Sequence, residues 1–131
     1  MKTILLVEDS RFLRIANERI LIKAGYQVLG AHDGEEALLV ARESLPDLVI
    51  LDMLLPKLGG PQVLQALKKD PSTTQIPVIV LSGMSQRNEQ KLKREGAWAF
   101  MEKASLLNNP RSLLEAIRQA LAHDTAEVIR E

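Results

Sequence analysis

The chain alternates short runs of apolar, often β-branched residues with longer stretches in which apolar residues recur every three or four positions. Ile4–Val7, Gln27–Ala31, Leu48–Leu51, Val78–Leu81 and Trp98–Glu102 read as strands. Between and after them, apolar stripes at Leu13/Ala16/Ile20/Ala24, Ala37/Leu38/Ala41, Val63/Leu64/Leu67 and Leu113/Ile117/Leu121 predict amphipathic helices. A further segment, Ser85–Glu95, has Leu92 as its one large apolar residue, which predicts a loosely anchored helix. The punctuation agrees: Gly25 and Gly96 close helices, Asp33-Gly34 and Gly60-Pro61 open them, and Asn109-Pro110 supplies an N-cap with a proline at the first helical position. The third and fourth strands are apolar without alternation, the mark of strands covered on both faces. Together these features predict an α/β fold, a doubly wound five-stranded parallel sheet with five helices. Residues 1–122 read as one domain and 123–131 as a short polar C-terminal tail.

Composition narrows the function. With 131 residues, 46% of them apolar and 26% charged, the chain is long enough for one core and needs neither disulfide nor structural metal to fold. The absence of cysteine excludes disulfide scaffolds, thiolate zinc sites and cysteine nucleophiles. Seventeen basic residues balance seventeen acidic ones, so no net positive field draws the chain to nucleic acid or to an anionic membrane. No apolar run reaches the ~18 residues of a membrane span. The apolar stretch before Glu8 is too short for a signal peptide, and a cytoplasmic location is expected.

In an open parallel sheet, ligands bind beyond the carboxyl ends of the strands. There the first strand runs into Glu8-Asp9, the third into Asp52, the fourth into Ser82-Gly83 and the fifth into Lys103; the second ends at His32-Asp33, to one side. Two unit charges ~4 Å apart repel by about 4 kcal/mol at an effective dielectric near 20. A cluster of carboxylates therefore needs positive compensation. Lys103 offsets one charge, and the remainder suits a hard divalent cation with oxygen ligands, Mg²⁺ above all. Taken singly, each residue has an ordinary reading. An acidic pair favours a helix N-terminus, Asp52 and Ser82 suit turns, and Lys103 suits a solvated surface. Their coincidence at four strand ends points instead to a site.

The segments Ile4-Leu5-Leu6-Val7-Glu8-Asp9, Ala31 through Leu38, Pro46 through Asp52 with Pro56 and Gly60, Ile76 through Gly83, and Gly96-Ala97 through Phe100 to Lys103 carry a resemblance. In order and spacing, from residue 3 to about 122, the chain resembles the receiver domain of two-component response regulators, the chemotaxis-type, flavodoxin-like phosphoacceptor fold. That resemblance implies a signalling switch rather than an enzyme, one that catalyses only its own phosphorylation and dephosphorylation. Asp52 would accept a phosphoryl group from a histidine kinase or histidine phosphotransfer protein. Glu8, Asp9, Asp52 and the main-chain carbonyl of Leu54 would hold Mg²⁺. Ser82 and Lys103 would bind phosphoryl oxygens, and Phe100 would turn inward when Ser82 moves. A downstream protein target and a phosphorylation-dependent dimer are further implications. The chemistry is self-consistent: an ionised carboxylate needs no general base, and phosphoryl transfer depends mostly on electrostatic positioning.

Some positions depart from the commonest receiver pattern. Ala104 follows Lys103 where many relatives have proline and a cis peptide, a geometry that would cost about 2.5–4 kcal/mol before alanine. Leu54 and Met84, often polar in the family, cannot orient an attacking water, which predicts a long-lived acyl phosphate. Trp98 stands where an acidic residue is common. It is expected to share a face with Phe100 and to pack against the fourth helix. Phe12 and Ile15 fall outside the first helix's stripe, which predicts an exposed surface for kinase docking. Four other readings compete, one of them a receiver used only as a scaffold, which the presence of all five site residues disfavours. A haloacid-dehalogenase-like phosphotransferase needs a second aspartate where Leu54 stands. A flavin or dinucleotide module needs a glycine- or hydroxyl-rich loop where Glu8-Asp9-Ser10 would repel phosphate. A receiver module excised from a larger regulator or hybrid kinase is the alternative to a single-domain regulator.

Overall fold

The computed structural model describes residues 1–83, 89–103 and 109–130, without the side chains of 89 and 123–130. Its elements are β1 (Thr3–Val7), α1 (Arg11–Lys23), β2 (Gln27–Ala31), α2 (Gly34–Ser44), β3 (Leu48–Asp52), α3 (Gly60–Lys69), β4 (Val78–Ser82), α4 (Glu89–Arg94), β5 (Ala99–Glu102) and α5 (Pro110–Arg130). All strand pairings are parallel and the sheet order is β2-β1-β3-β4-β5. The chain winds outward from β1 to β2, then crosses back to β3 and beyond. That reversal opens a crevice at the carboxyl ends of β1 and β3, where doubly wound folds place their ligands.

Strand alternation divides the apolar residues between two helical layers. Leu5, Val7, Val49, Leu51, Val78 and Val80 pack with α2, α3 and α4 through Ala41, Val63, Leu64, Leu67 and Leu92. Ile4, Leu6, Leu48, Ile50, Ile79 and Leu81 pack with α1 and α5 through Leu21, Leu113 and Ile117. Both faces of β3 and β4 are thus dry, as their unbroken apolar sequences require. Each fully buried leucine or isoleucine contributes about 1.5–3 kcal/mol. Ser10 Oγ caps α1 by accepting from the Leu13 N–H at 3.3 Å, and Asp33 Oδ1 caps α2 by accepting from the Glu36 N–H at 2.8 Å.

Several sequence readings need correction. On α1 the buried positions are Asn17 and Leu21, and Ala24 is an exposed C-cap. Polar Asn17 interrupts the apolar periodicity and so hid the sheet-facing stripe. Trp98 does not share a face with Phe100. It precedes β5, where strict alternation does not yet hold, and packs with the α1/α5 layer, whereas Phe100 packs with the α2/α3/α4 layer. Asp52 and Ser82 are the last residues of their strands rather than the first beyond them. Of Ser85–Glu95, Glu89–Arg94 is helical and Leu92 is its buried anchor. Met84, the start of that segment and the Lys103–Ala104 peptide lie outside the described residues. Residues 123–130 continue α5.

The loop after β3 is clamped where it passes α2. A Cβ on Gly34 would lie 2.0 Å from the Leu58 carbonyl oxygen, so only glycine lets the loop rest there. Beside it, Lys57 adopts a φ of 66° and its ammonium lies 3.5 Å from Asp33 Oδ2. At the loop's far end, a Cβ on Gly60 would lie 2.5 Å from the Met53 Cα. Backbone cannot yield as a flexible side chain does. Gly34→Ala is therefore expected to cost about 1–3 kcal/mol in urea denaturation. Gly83→Ala, whose added Cβ meets nothing within 4 Å, should stay within about 0.5 kcal/mol. Equal effects of the two substitutions would contradict the clamp.

Candidate functional site

Register brings the acidic residues together. Val7 of β1 pairs with Leu51 of β3, so Glu8 and Asp52, each one residue further on, end side by side. Ser82 ends β4 opposite Glu102 of β5, and the Lys103 N–H donates to the Ser82 carbonyl at 2.9 Å, which turns Lys103 back over the sheet edge. Its ammonium reaches Asp52 Oδ2 at 2.7 Å and Glu8 Oε1 and Oε2 at 3.0 and 3.1 Å. Glu8 and Asp52 are each 1% exposed, whereas Asp9 is exposed. One carboxylate oxygen from each of Glu8, Asp9 and Asp52 can be chosen so that all three lie within 4.8 Å of one another.

Two buried carboxylates on one ammonium are under-compensated, and Glu8 shows it. Its pKa is raised to about 7, first by burial and then by a hydrogen bond with Asp52 and that group's charge; Lys103 and the Ser10 N–H oppose the shift. For Lys103, burial disfavours the ammonium, but hydrogen bonds to Asp52 and Glu8 outweigh it and hold the pKa above the usual lysine value. Glu8 Oε1, although 3.0 Å from the ammonium, makes no hydrogen bond among the described residues. A buried carboxylate oxygen left without one, between two further carboxylates, is the donor set a hard divalent cation takes.

The remaining predicted residues lie around this cluster. Leu54 is 65% exposed and its N–H donates to Asp52 Oδ1 at 3.1 Å, fixing the carboxylate's second oxygen. Ser82 is buried, and it borders a 390 Å³ cavity together with half-buried Phe100, Met53 and Leu92. Phe12, at 76%, and Ile15 are exposed on α1. His32 stands apart from the cluster, its Nδ1 2.9 Å from Glu36 Oε1, with Asp33 buried beneath Lys57. Sequence reasoning missed Arg14, whose Nη1 donates to the Glu8 carbonyl at 2.8 Å. The signal available was Gly30, a glycine inside a strand pattern, which marks a close approach.

A family model described as the response regulator receiver domain matches residues 4–124. The chain belongs to that family. Among relatives, it is 35% identical over 123 residues to Protein PilH of Pseudomonas aeruginosa, covering 93% of this chain and 99% of PilH. To the probable transcriptional regulator ycf27 of Pyropia yezoensis it is 42% identical over 83 residues, 63% of this chain but 33% of that one. In fold it is similar to a CheY-like response regulator receiver domain protein from Methanospirillum hungatei, with a TM-score of 0.88 at 27% identity over 97% of this chain and 98% of the other. The predicted fold class and family are thus found. No helix among the described residues is long and apolar enough to cross a membrane.

The raised pKa of Glu8 gives a pH dependence in protein freed of divalent cations. Folded Glu8 holds its proton more tightly than unfolded Glu8, so between about 4.5 and 7 the folded state binds more protons and stability falls as pH rises. The loss is at most roughly 3 kcal/mol. Asp33, bonded by the Glu36 N–H, and Asp70, bonded by the Ser72 N–H, have depressed pKa values and act with the opposite sign. Their contribution is lost only as pH falls below the usual carboxylate range. Urea denaturation in chelator should show lower stability at pH 8 than at pH 5, with the difference much reduced in Glu8→Gln. Equal or greater stability at pH 8 would contradict the assignment.

Proposed function

We propose that this receiver is a switch whose Asp52 accepts a phosphoryl group from a phosphohistidine on a histidine kinase or histidine phosphotransfer protein. The observation that supports it most is the placement of Asp52, buried, bonded to the Lys103 ammonium at 2.7 Å and grouped with carboxylate oxygens of Glu8 and Asp9 within 4.8 Å of one another. Glu8, Asp9, Asp52 and the Leu54 main-chain carbonyl would hold Mg²⁺, which neutralises charge on the phosphoryl oxygens when bound. An Asp52 oxygen attacks phosphorus, a P–O bond forms and the P–N bond breaks, its electron pair remaining on the imidazole nitrogen. Lys103 pairs with a phosphoryl oxygen, exchanging part of its contact with Asp52 for the new charge. Gly83 leaves the approach open, since even a Cβ there would meet nothing within 4 Å.

After transfer, Ser82 donates its hydroxyl to another phosphoryl oxygen. Phe100 then moves into the cavity that the two residues border, which changes the outer surface of β5 for a downstream protein or a second copy. Hydrogen exchange at the β5 amides should change on phosphorylation in the wild type and not in Ser82→Ala; equal change in both would remove Ser82 from the switch. Exposed Leu54 lacks any group to orient water, so the acyl phosphate is long-lived. Exposed Phe12 and Ile15 on α1 serve as the docking surface for the phosphohistidine donor.

Intact-mass measurement tests the reading as a whole. With acetyl phosphate and Mg²⁺, one phosphoryl group should add to the wild type, none to Asp52→Asn, and none when chelator is present. Phe12→Ala should react normally with acetyl phosphate but at least about tenfold more slowly with a phosphohistidine protein, the effect of losing roughly 1.4 kcal/mol of docking contact. Wild-type modification of Asp52→Asn would overturn the acceptor, and an unchanged phosphohistidine rate in Phe12→Ala would overturn the docking surface.

A further inference from the structure

Arg14 lies on the first half of α1, outside the carboxylate cluster, yet its Nη1 donates to the main-chain carbonyl of Glu8 at 2.8 Å. The N–H of Glu8 itself donates to the Ala31 carbonyl of β2 at 3.0 Å. The backbone between β1 and α1 is thus held from both sides at Glu8, and the carbonyl that Arg14 takes belongs to the peptide joining Glu8 to Asp9. Asp9 is exposed, and its carboxylate has no hydrogen-bond partner among the described residues. Nothing on its own side chain holds it toward Glu8 and Asp52. The plane of the preceding peptide therefore sets where the Asp9 carboxylate points.

On its way to Glu8 the Arg14 side chain passes over Gly30. A Cβ on Gly30 of β2 would lie 3.4 Å from the Arg14 Cδ and 3.0 Å from Glu18 Oε1. The arginine stem thus lies alongside Gly30, where a Cβ would touch it and larger side chains would press on it. A glycine inside a strand weakens it and is kept where something must approach closely.

We propose that Arg14, seated over Gly30, is a positioning residue that orients the Glu8–Asp9 peptide and thereby assembles the three-carboxylate cation site. This rests on the reading of that cluster as a Mg²⁺ site, and deepens it. Groups that orient metal ligands without touching the metal typically carry 10–100-fold in metal affinity. Charge alone acts the other way. Removing a cation near a cation site should tighten Mg²⁺ binding by simple Coulomb repulsion, so weaker binding after loss of Arg14 identifies orientation as the cause.

The test uses the full chain with Mg²⁺ itself, titrated calorimetrically, and amide hydrogen exchange measured separately in chelator. Arg14→Ala should weaken Mg²⁺ binding by about tenfold or more, and Arg14→Lys, which keeps a donor, should recover part of the loss. Gly30→Val keeps the charge but obstructs the stem, and should weaken binding in the same direction. In both Arg14→Ala and Gly30→Val, exchange at the Asp9 and Ser10 amides should accelerate while the buried amides of β1 keep their protection. At saturating Mg²⁺ the maximal rate of phosphorylation by acetyl phosphate should stay within about twofold, since the orientation is then imposed by the bound cation. Unchanged or tighter Mg²⁺ binding in Arg14→Ala would overturn the proposal, as would unchanged exchange at Asp9 and Ser10. If the wild type binds no Mg²⁺, the reading of the cluster fails, and the exchange measurement still decides whether Arg14 orders the loop.

Discussion

A single ammonium shared by two buried carboxylates governs this end of the molecule. Lys103 must span from β5 to Asp52 on β3 and Glu8 beyond β1, so the three strands have to finish level with one another. The parallel register does this, because it sets Glu8 beside Asp52 and Lys103 just beyond Ser82. Burial makes the arrangement costly, since desolvated carboxylates this close resist ionising together. The raised pKa of Glu8 and its oxygen without a hydrogen bond are the visible residue of that cost. A site left negative in this way has the charge and the oxygen donors that a hard divalent cation takes.

The rest of the fold keeps that edge in place. Two apolar layers bury both faces of β3 and β4, so Asp52 and Ser82 issue from the fully buried centre of the sheet. The loop after Asp52 is held against α2 through the Gly34 contact with Leu58, and its Leu54 N–H fixes one oxygen of Asp52. By contrast, the half-buried Phe100 adjoins a cavity, and α4 has Leu92 as its buried residue. Close packing lies under the carboxylates and open space beside Ser82 and Phe100. Such an arrangement suits a site whose chemistry needs fixed positions and whose output needs a small change of packing.

Much of this was legible in the sequence because period and punctuation agreed. The five apolar runs predicted each strand to within a residue, and the glycines closing α1 and α4 and the prolines opening α3 and α5 marked the helices, although α5 runs on through residues 123–130. The strand-end rule then placed Glu8, Asp9, Asp52, Ser82 and Lys103 on one edge. What escaped depended on contacts that periodicity does not encode. Asn17 is buried on α1 although it is polar, Trp98 packs with the α1/α5 layer because it precedes the regular strand, and Arg14 reaches Glu8 along a strand glycine. Each of these is a packing outcome decided between elements, not within one.

The chemistry proposed for this edge of the sheet centres on the carboxylate at the end of β3. After phosphorylation with acetyl phosphate and Mg²⁺, borohydride reduction converts an aspartyl phosphate to homoserine, and peptide mass spectrometry then locates the changed residue. Homoserine is expected at position 52 alone. Homoserine at Asp9, Asp33 or Asp47 instead, with Asp52 intact, would contradict it.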